Sequence, residues 1–261
     1  MPPNTLSGSQ PFPLFYSGIE ALDRDRHRAL RLGTIEHPFA FARTAHVLPA
    51  LAIEFANACR DLAILFVKEQ NEISPLFLVG HRAGLNSFVD ADGNWAGRHV
   101  PAYLRRYPFI GMTSNENEQA ICFDPACPAL QSTNGELLFT EDGKPSLALE
   151  SVMNFVGEYF VAAQETRAFS RELQTLGLLQ SIDVRITSGS GHHSSFHGFL
   201  AVDENALASL GQADFDALRR KGYLPAIYAH LLSLANLKDL GARSDDVERA
   251  AGSRAAPGAQ Q

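Results

Sequence analysis

Arginine and aromatic residues crowd one segment of the chain, Trp95 to Phe109, which reads WAGRHVPAYLRRYPF. Arg98, His99, Arg105 and Arg106 stand there among Trp95, Tyr103, Tyr107 and Phe109. A guanidinium pairs bidentately with carboxylate or phosphate and stacks on aromatic faces. The segment is therefore suited to an anionic ligand, a peptide carboxylate or an acidic partner surface. The competing reading packs the rings into the core and pairs the arginines with internal acids such as Glu54 or Asp90.

A second group is Gly191-His192-His193-Ser194-Ser195-Phe196-His197. Three imidazoles at His192, His193 and His197 have the donor atoms for zinc, copper or nickel. Their Gly/Ser setting predicts a loop, and Asp203 is the nearest acid, so a solvated loop without a fixed outer shell is the favoured reading. The remaining histidines, His27, His37, His46, His81, His99 and His230, can each move a proton. Linear sequence connects none of them to a nucleophile. The three cysteines, Cys59, Cys122 and Cys127, do not form a disulfide framework and read as free thiols, although Cys122 and Cys127 are close enough in sequence for a bridge or a shared metal.

The elements that must position these groups are short strands and a few helices. Pro49–Arg60 predicts a short helix. Leu62–Val67, Leu76–Val79 and Ser87–Val89 predict strands, with Lys68–Pro75 as a hairpin loop and Asp92-Gly93-Asn94 as a turn. Pro101–Tyr107 allows one or two helical turns before Pro108. Ala120–Phe123 and Leu137–Phe139 predict further strands. Residues 147–176 predict one long helix, because Val152, Phe155, Tyr159, Ala162, Thr166, Phe169, Leu173 and Leu176 recur at intervals of three and four. Gly177 is placed to stop it. Ile182–Thr187 and Phe199–Val202 predict strands around a loop at Ser188–Ser195. Three helices follow, Asp203–Leu210, Asp214–Lys221 and Tyr223–Leu240. The expected fold is α+β, a largely antiparallel sheet packed against one long helix, with a C-terminal helical segment. Residues 1–13 are expected to be flexible, 14–240 to form a single domain, and 241–261 to be a disordered tail.

Composition narrows the function classes. A net charge of −7 and a pI near 5.7 argue against a nucleic-acid binder that works by displacing counterions. No stretch approaches the roughly 20 apolar residues of a spanning helix. The N-terminus lacks a basic start and an apolar run, so the expected location is cytoplasmic, with leaderless export left open. Phosphate-loop, G-x-G-x-x-G, G-x-S-x-G and H-E-x-x-H motifs are absent.

The block Gly93-Asn94-Trp95 with Val100-Pro101-Ala102-Tyr103-Leu104-Arg105-Arg106-Tyr107-Pro108-Phe109 resembles the hallmark segment of the bacterial SapC-like family. Pro49 with Glu54-Phe55, Leu78-Val79-Gly80 with Asn86-Ser87-Phe88-Val89-Asp90, Gly198-Phe199 with Val202-Asp203, and Gly222-Tyr223-Leu224 with Tyr228-Ala229-His230-Leu231 and Ser233 agree with it. The resemblance spans about residues 14–240. It implies a single-domain protein whose family name comes from association with surface-layer proteins. It also implies genes near flavin-dependent halogenase-like proteins, cupin-like proteins and TonB-dependent receptors. The implied role is accessory, in nutrient uptake or modification at the envelope, with a protein or peptide partner. The resemblance carries over no catalytic residue, cofactor or oligomeric state, and the His192–His197 loop does not look like part of the pattern. Trp95, Arg98, Tyr103, Arg105, Arg106, Glu54 and Asn86 become the ligand- or partner-binding candidates. The alternatives are an enzyme on a small molecule or peptide that uses the same segment, and a metal-dependent protein that uses the histidine loop.

Overall fold

A computed structural model describes residues 12–113, 119–188, 190–191 and 193–255. In chain order the first elements are β1 (Glu20–Ala21), β2 (Arg31–Leu32), β3 (Val47–Pro49), α1 (Phe55–Ala58), β4 (Ala63–Glu69) and β5 (Glu72–Leu78). Next come α2 (Ala102–Arg105), β6 (Phe109–Thr113), β7 (Gln119–Phe123), β8 (Glu136–Leu137) and α3 (Leu147–Thr175). The chain ends with β9 (Leu179–Thr187), β10 (His193–Val202), α4 (Glu204–Ala208), α5 (Gln212–Arg220), α6 (Leu224–Ser233) and α7 (Leu237–Ala255). Every strand pairing among the described residues is antiparallel, so the fold class is α+β as expected. The contacts divide between two compact units, one drawn from Met1–Ile35 and Arg106–Val156, the other from Glu36–Arg105 and Gly157–Gln261.

The first unit holds a three-stranded sheet in the order β1-β7-β6 and the β2-β8 pair. Its core gathers Phe109, Phe123, Cys127, Leu130, Leu138 and Phe139 with Leu149 and Val156 of α3. Asp124 is fully buried there. It accepts from the Ser17 and Ala126 amides at 2.8 and 3.0 Å and from the Tyr107 hydroxyl at 3.3 Å. Such a carboxylate is tolerable in a core because donors replace its water. Cys122 and Cys127 are buried free thiols, and burial pushes both thiol pKa values up.

The second unit is built on a five-stranded sheet in the order β3-β5-β4-β10-β9. The central strand β4 carries the unbroken run Ala63-Ile64-Leu65-Phe66, all buried, as a strand covered on both faces requires. The edge strand β9 instead alternates, with Val184 and Ile186 buried between exposed neighbours. Helix α6 packs on β4 and β10, and α7 packs on β9. The long helix touches this sheet through Phe169, whose ring lies 6.4 Å from Phe66 and 6.1 Å from Phe55. The sheet's main helical cover is thus α6 and α7, and α3 is only a partial contributor. Gly177, at φ +64°, ends α3: its amide bonds Gln174 O, and the Leu178 amide bonds Leu173 O. That is the paired geometry of a glycine-stopped helix.

Several local expectations are corrected. Lys68–Pro75 is not a loop: β4 and β5 stay paired to Glu69↔Glu72, with a two-residue turn in which Gln70 takes φ +54°. The distal half of a hairpin can be polar and still keep its ladder, because backbone groups make the bonds. Ser87–Val89 is not a strand. Asn86 Oδ1 takes the Phe88 amide, and Val89 makes a single bridge to Trp95. The Ser188–Ser195 loop is shorter than expected, since His193 already pairs with Thr187. The helix expected over Tyr223–Leu240 divides into α6, a 3-10 turn at Leu234–Asn236, and α7. The chain is helical through Ala255, beyond the point where a disordered tail was expected, while residues 256–261 lie outside the described residues. Tertiary contact explains the extension. Leu240, Ser244 and Asp245 are buried, Ser244 Oγ bonds Ser87 Oγ at 2.5 Å, and Asp245 accepts from Ser190. Residues 1–11 of the expected flexible N-terminus also lie outside the described residues.

Candidate functional site

Glu54 organises the arginine-rich segment. It is 4% exposed and closes the 3-10 turn Ala52–Glu54 that leads into α1. Its Oε1 accepts from the Ala102 amide at 2.7 Å and pairs with His99 Nε2 at 2.8 Å, while Oε2 accepts from the Leu51 amide at 3.2 Å. One buried carboxylate therefore holds the 99–102 stretch against the entry to α1. The sequence reading offered Glu54 as an arginine partner, and its actual partners are an imidazole and two amides. Asp90 likewise serves backbone groups, accepting from the Asp92 and Asn94 amides.

The rest of the segment in the second unit is braced in the same way. Asn86 is 1% exposed and bridges Ala42 O and the Phe88 amide. Trp95 stacks on Phe88 with centroids 5.3 Å apart and planes 18° apart, and its Nε1 donates to His99 O. Asp61 Oδ2 accepts the Arg98 amide at 2.6 Å. Tyr103 is buried. Arg98 and Arg105 are exposed, and Arg105 Nε donates to Val100 O. Of the predicted candidates, Glu54, Asn86, Trp95, Arg98, Tyr103 and Arg105 fall in this unit. Arg106 belongs to the first unit, where its guanidinium lies 5.8 Å over the Tyr16 ring. The chemistry available is a pair of exposed guanidiniums on a scaffold held by buried acceptors, beside a carboxylate-held imidazole.

The histidine group is strand rather than loop over most of its length. His193 and His197 both lie on β10; His193 Nδ1 meets Thr187 Oγ1 at 3.0 Å, and His197 Nδ1 meets Asp183 Oδ1 at 2.7 Å. His192 lies outside the described residues. Among the described residues no three His, Cys, Asp or Glu side chains gather as metal ligands.

Sequence reasoning missed two features. His230 is fully buried and bridges two strands, with Nδ1 3.0 Å from Ile64 O and Nε2 accepting from the Val202 amide at 3.0 Å. The second is a small charged cavity around Arg60, Asp61 and Arg243. Neither has a local signal, since each joins residues distant in sequence. No helix among the described residues is long and apolar enough to cross a membrane.

A protein-family model described as SapC matches residues 22–240. No curated protein and no solved structure matches the chain.

Proposed function

The chain belongs to the SapC family, and from that premise we propose that it is an accessory, interaction-type protein that recognises an anionic or peptide ligand. The carrying observation is the pair of exposed guanidiniums, Arg98 and Arg105, on a segment fixed by the buried carboxylate of Glu54 and the half-buried one of Asp61. The backbone that carries both guanidiniums is held before a ligand arrives, which lowers the ordering cost of recognition by this surface. The process it serves is envelope-related nutrient uptake or modification, with Trp95, Glu54 and Asn86 positioning the segment and Arg98 and Arg105 making contact. The test is binding of short peptides with free or amidated C-termini to the intact chain. The free carboxylate should bind more tightly, and Arg98→Ala or Arg105→Ala should each weaken it about tenfold, the size of a charge-assisted hydrogen bond. Equal affinity for both peptide forms, or variants that bind like the parent, would refute this reading.

One observation favours a second reading, an enzyme acting on a small molecule or peptide. Glu54 holds His99 at 2.8 Å, and a carboxylate-oriented imidazole is equipped to transfer a proton. Turnover abolished by His99→Ala and kept by His37→Ala would support it.

A further inference from the structure

A cavity of about 100 Å³ in the second unit is lined by Arg60 and Asp61 after α1, by Phe88, and by Asn236, Asp239 and Arg243 near the start of α7. Two guanidiniums and two carboxylates share this space. Among the described residues, neither arginine forms an ion pair with either aspartate. The Arg243 guanidinium instead lies 4.3 Å over the Phe88 ring, which fixes it beside the cavity. Asn236 commits its Nδ2 to Cys59 O and Leu62 O, which leaves its side-chain oxygen as an acceptor. Asp61 is divided: Oδ2 accepts the Arg98 amide, while Oδ1 is shut from solvent and has no partner. A carboxylate left short of donors is unfavourable, and positive charge in the adjoining cavity would offset it.

We propose that this cavity binds a small zwitterion, an α-amino acid with a short side chain. Its ammonium donates to Asp239 and to the Asn236 side-chain oxygen, with the Asp61 carboxylate adding negative charge beside them. Its carboxylate is met by Arg60 and Arg243, the fork geometry suited to that group. A lone anion would face two carboxylates, and a lone cation would face two guanidiniums. A cavity of about 100 Å³ is on the scale of one small amino acid. This goes beyond the recognition reading above, whose contact groups Arg98 and Arg105 do not line the cavity.

The experiment is calorimetric titration of the full chain with L-alanine, with propionate, which lacks the ammonium, and with ethylamine, which lacks the carboxylate. Glycine and L-serine are titrated alongside. L-alanine should bind, and each single-charge analogue should bind at least about tenfold more weakly. Arg60→Gln and Arg243→Gln should each cost a similar factor, while Arg98→Ala should leave L-alanine binding intact. Asp61→Asn should also weaken binding; because Asp61 braces the Arg98 loop, the exposed Arg60 supplies the decisive variant. Trp95, the sole tryptophan, stacks on Phe88 and should report binding by its emission. Failure of all three amino acids to bind at millimolar concentration overturns the proposal. So does propionate binding as tightly as L-alanine, an outcome that leaves the anion-recognition reading standing. Arg60→Gln and Arg243→Gln that both bind like the parent would also overturn it.

Discussion

His230 Nδ1 lies 3.0 Å from the carbonyl oxygen of Ile64, and this bond places a helix side chain inside a strand ladder. The β4–β10 pairing runs Phe199↔Val67 and Leu200↔Phe66, and continuing that register puts Val202 opposite Ile64. The imidazole occupies the connection: Nδ1–H donates to Ile64 O, and Nε2 accepts from the Val202 amide. Ser233 completes the link by accepting the Ile64 amide at 3.0 Å. Both backbone groups of the Ile64 residue are therefore satisfied by α6.

This arrangement requires a neutral imidazole, and burial holds the His230 pKa down to about 4 from 6.5, partly offset by the bond to Ile64. The unfolded chain takes up this proton near pH 6.5, whereas the folded chain resists until about pH 4. The contribution to stability is full above pH 6.5 and is lost as pH falls toward 4, about 3 kcal/mol in all. Urea unfolding measured across that window should show the decline. His230→Leu should flatten this slope while lowering stability at neutral pH by about 2–5 kcal/mol, since two buried backbone groups lose their partner.

Glu54→Ala should both destabilise the protein and loosen the arginine segment. Removing the carboxylate leaves the Leu51 and Ala102 amides and His99 without their acceptor. A loss of about 2–4 kcal/mol is expected in chemical denaturation. Faster tryptic cleavage after Arg98 and Arg105, at equal folded fraction, would show that the segment itself has been released.

Phe169→Ala removes the ring at which α3 meets the aromatic cluster. Phe169 is 1% exposed and lies 5.2 Å from Tyr223 as well as near Phe55 and Phe66. The expected cost is about 3–5 kcal/mol, read as a fall in the denaturation midpoint. Val161→Ala, at an exposed position of the same helix, should change it by less than about 0.5 kcal/mol.

Gly177→Ala should cost about 1 kcal/mol in thermal or chemical unfolding, because an L side chain is disfavoured at φ +64°. Open space surrounds the added methyl, so the effect isolates backbone conformation from steric contact.

The sequence by itself determined the α+β class, the antiparallel pairing and the long helix, whose expected span of 147–176 compares with Leu147–Thr175. It also carried the SapC resemblance that the family match supports. The helix and strand patterns behind these properties are local, because side-chain periodicity follows backbone geometry and a glycine stop needs only its own φ. Only the tertiary structure decided that the polar arms of β4 and β5 remain paired and that α7 runs past residue 241. It likewise decided that Glu54 meets His99 and the Ala102 amide. The same is true of the His230 bridge and of the cavity that joins Asp61 to Arg243. The sheet order β3-β5-β4-β10-β9 sets early strands beside late ones, and α6 and α7 cover them. A buried polar group must find its partner in that three-dimensional neighbourhood, and no pattern along the chain encodes which distant residue will supply it.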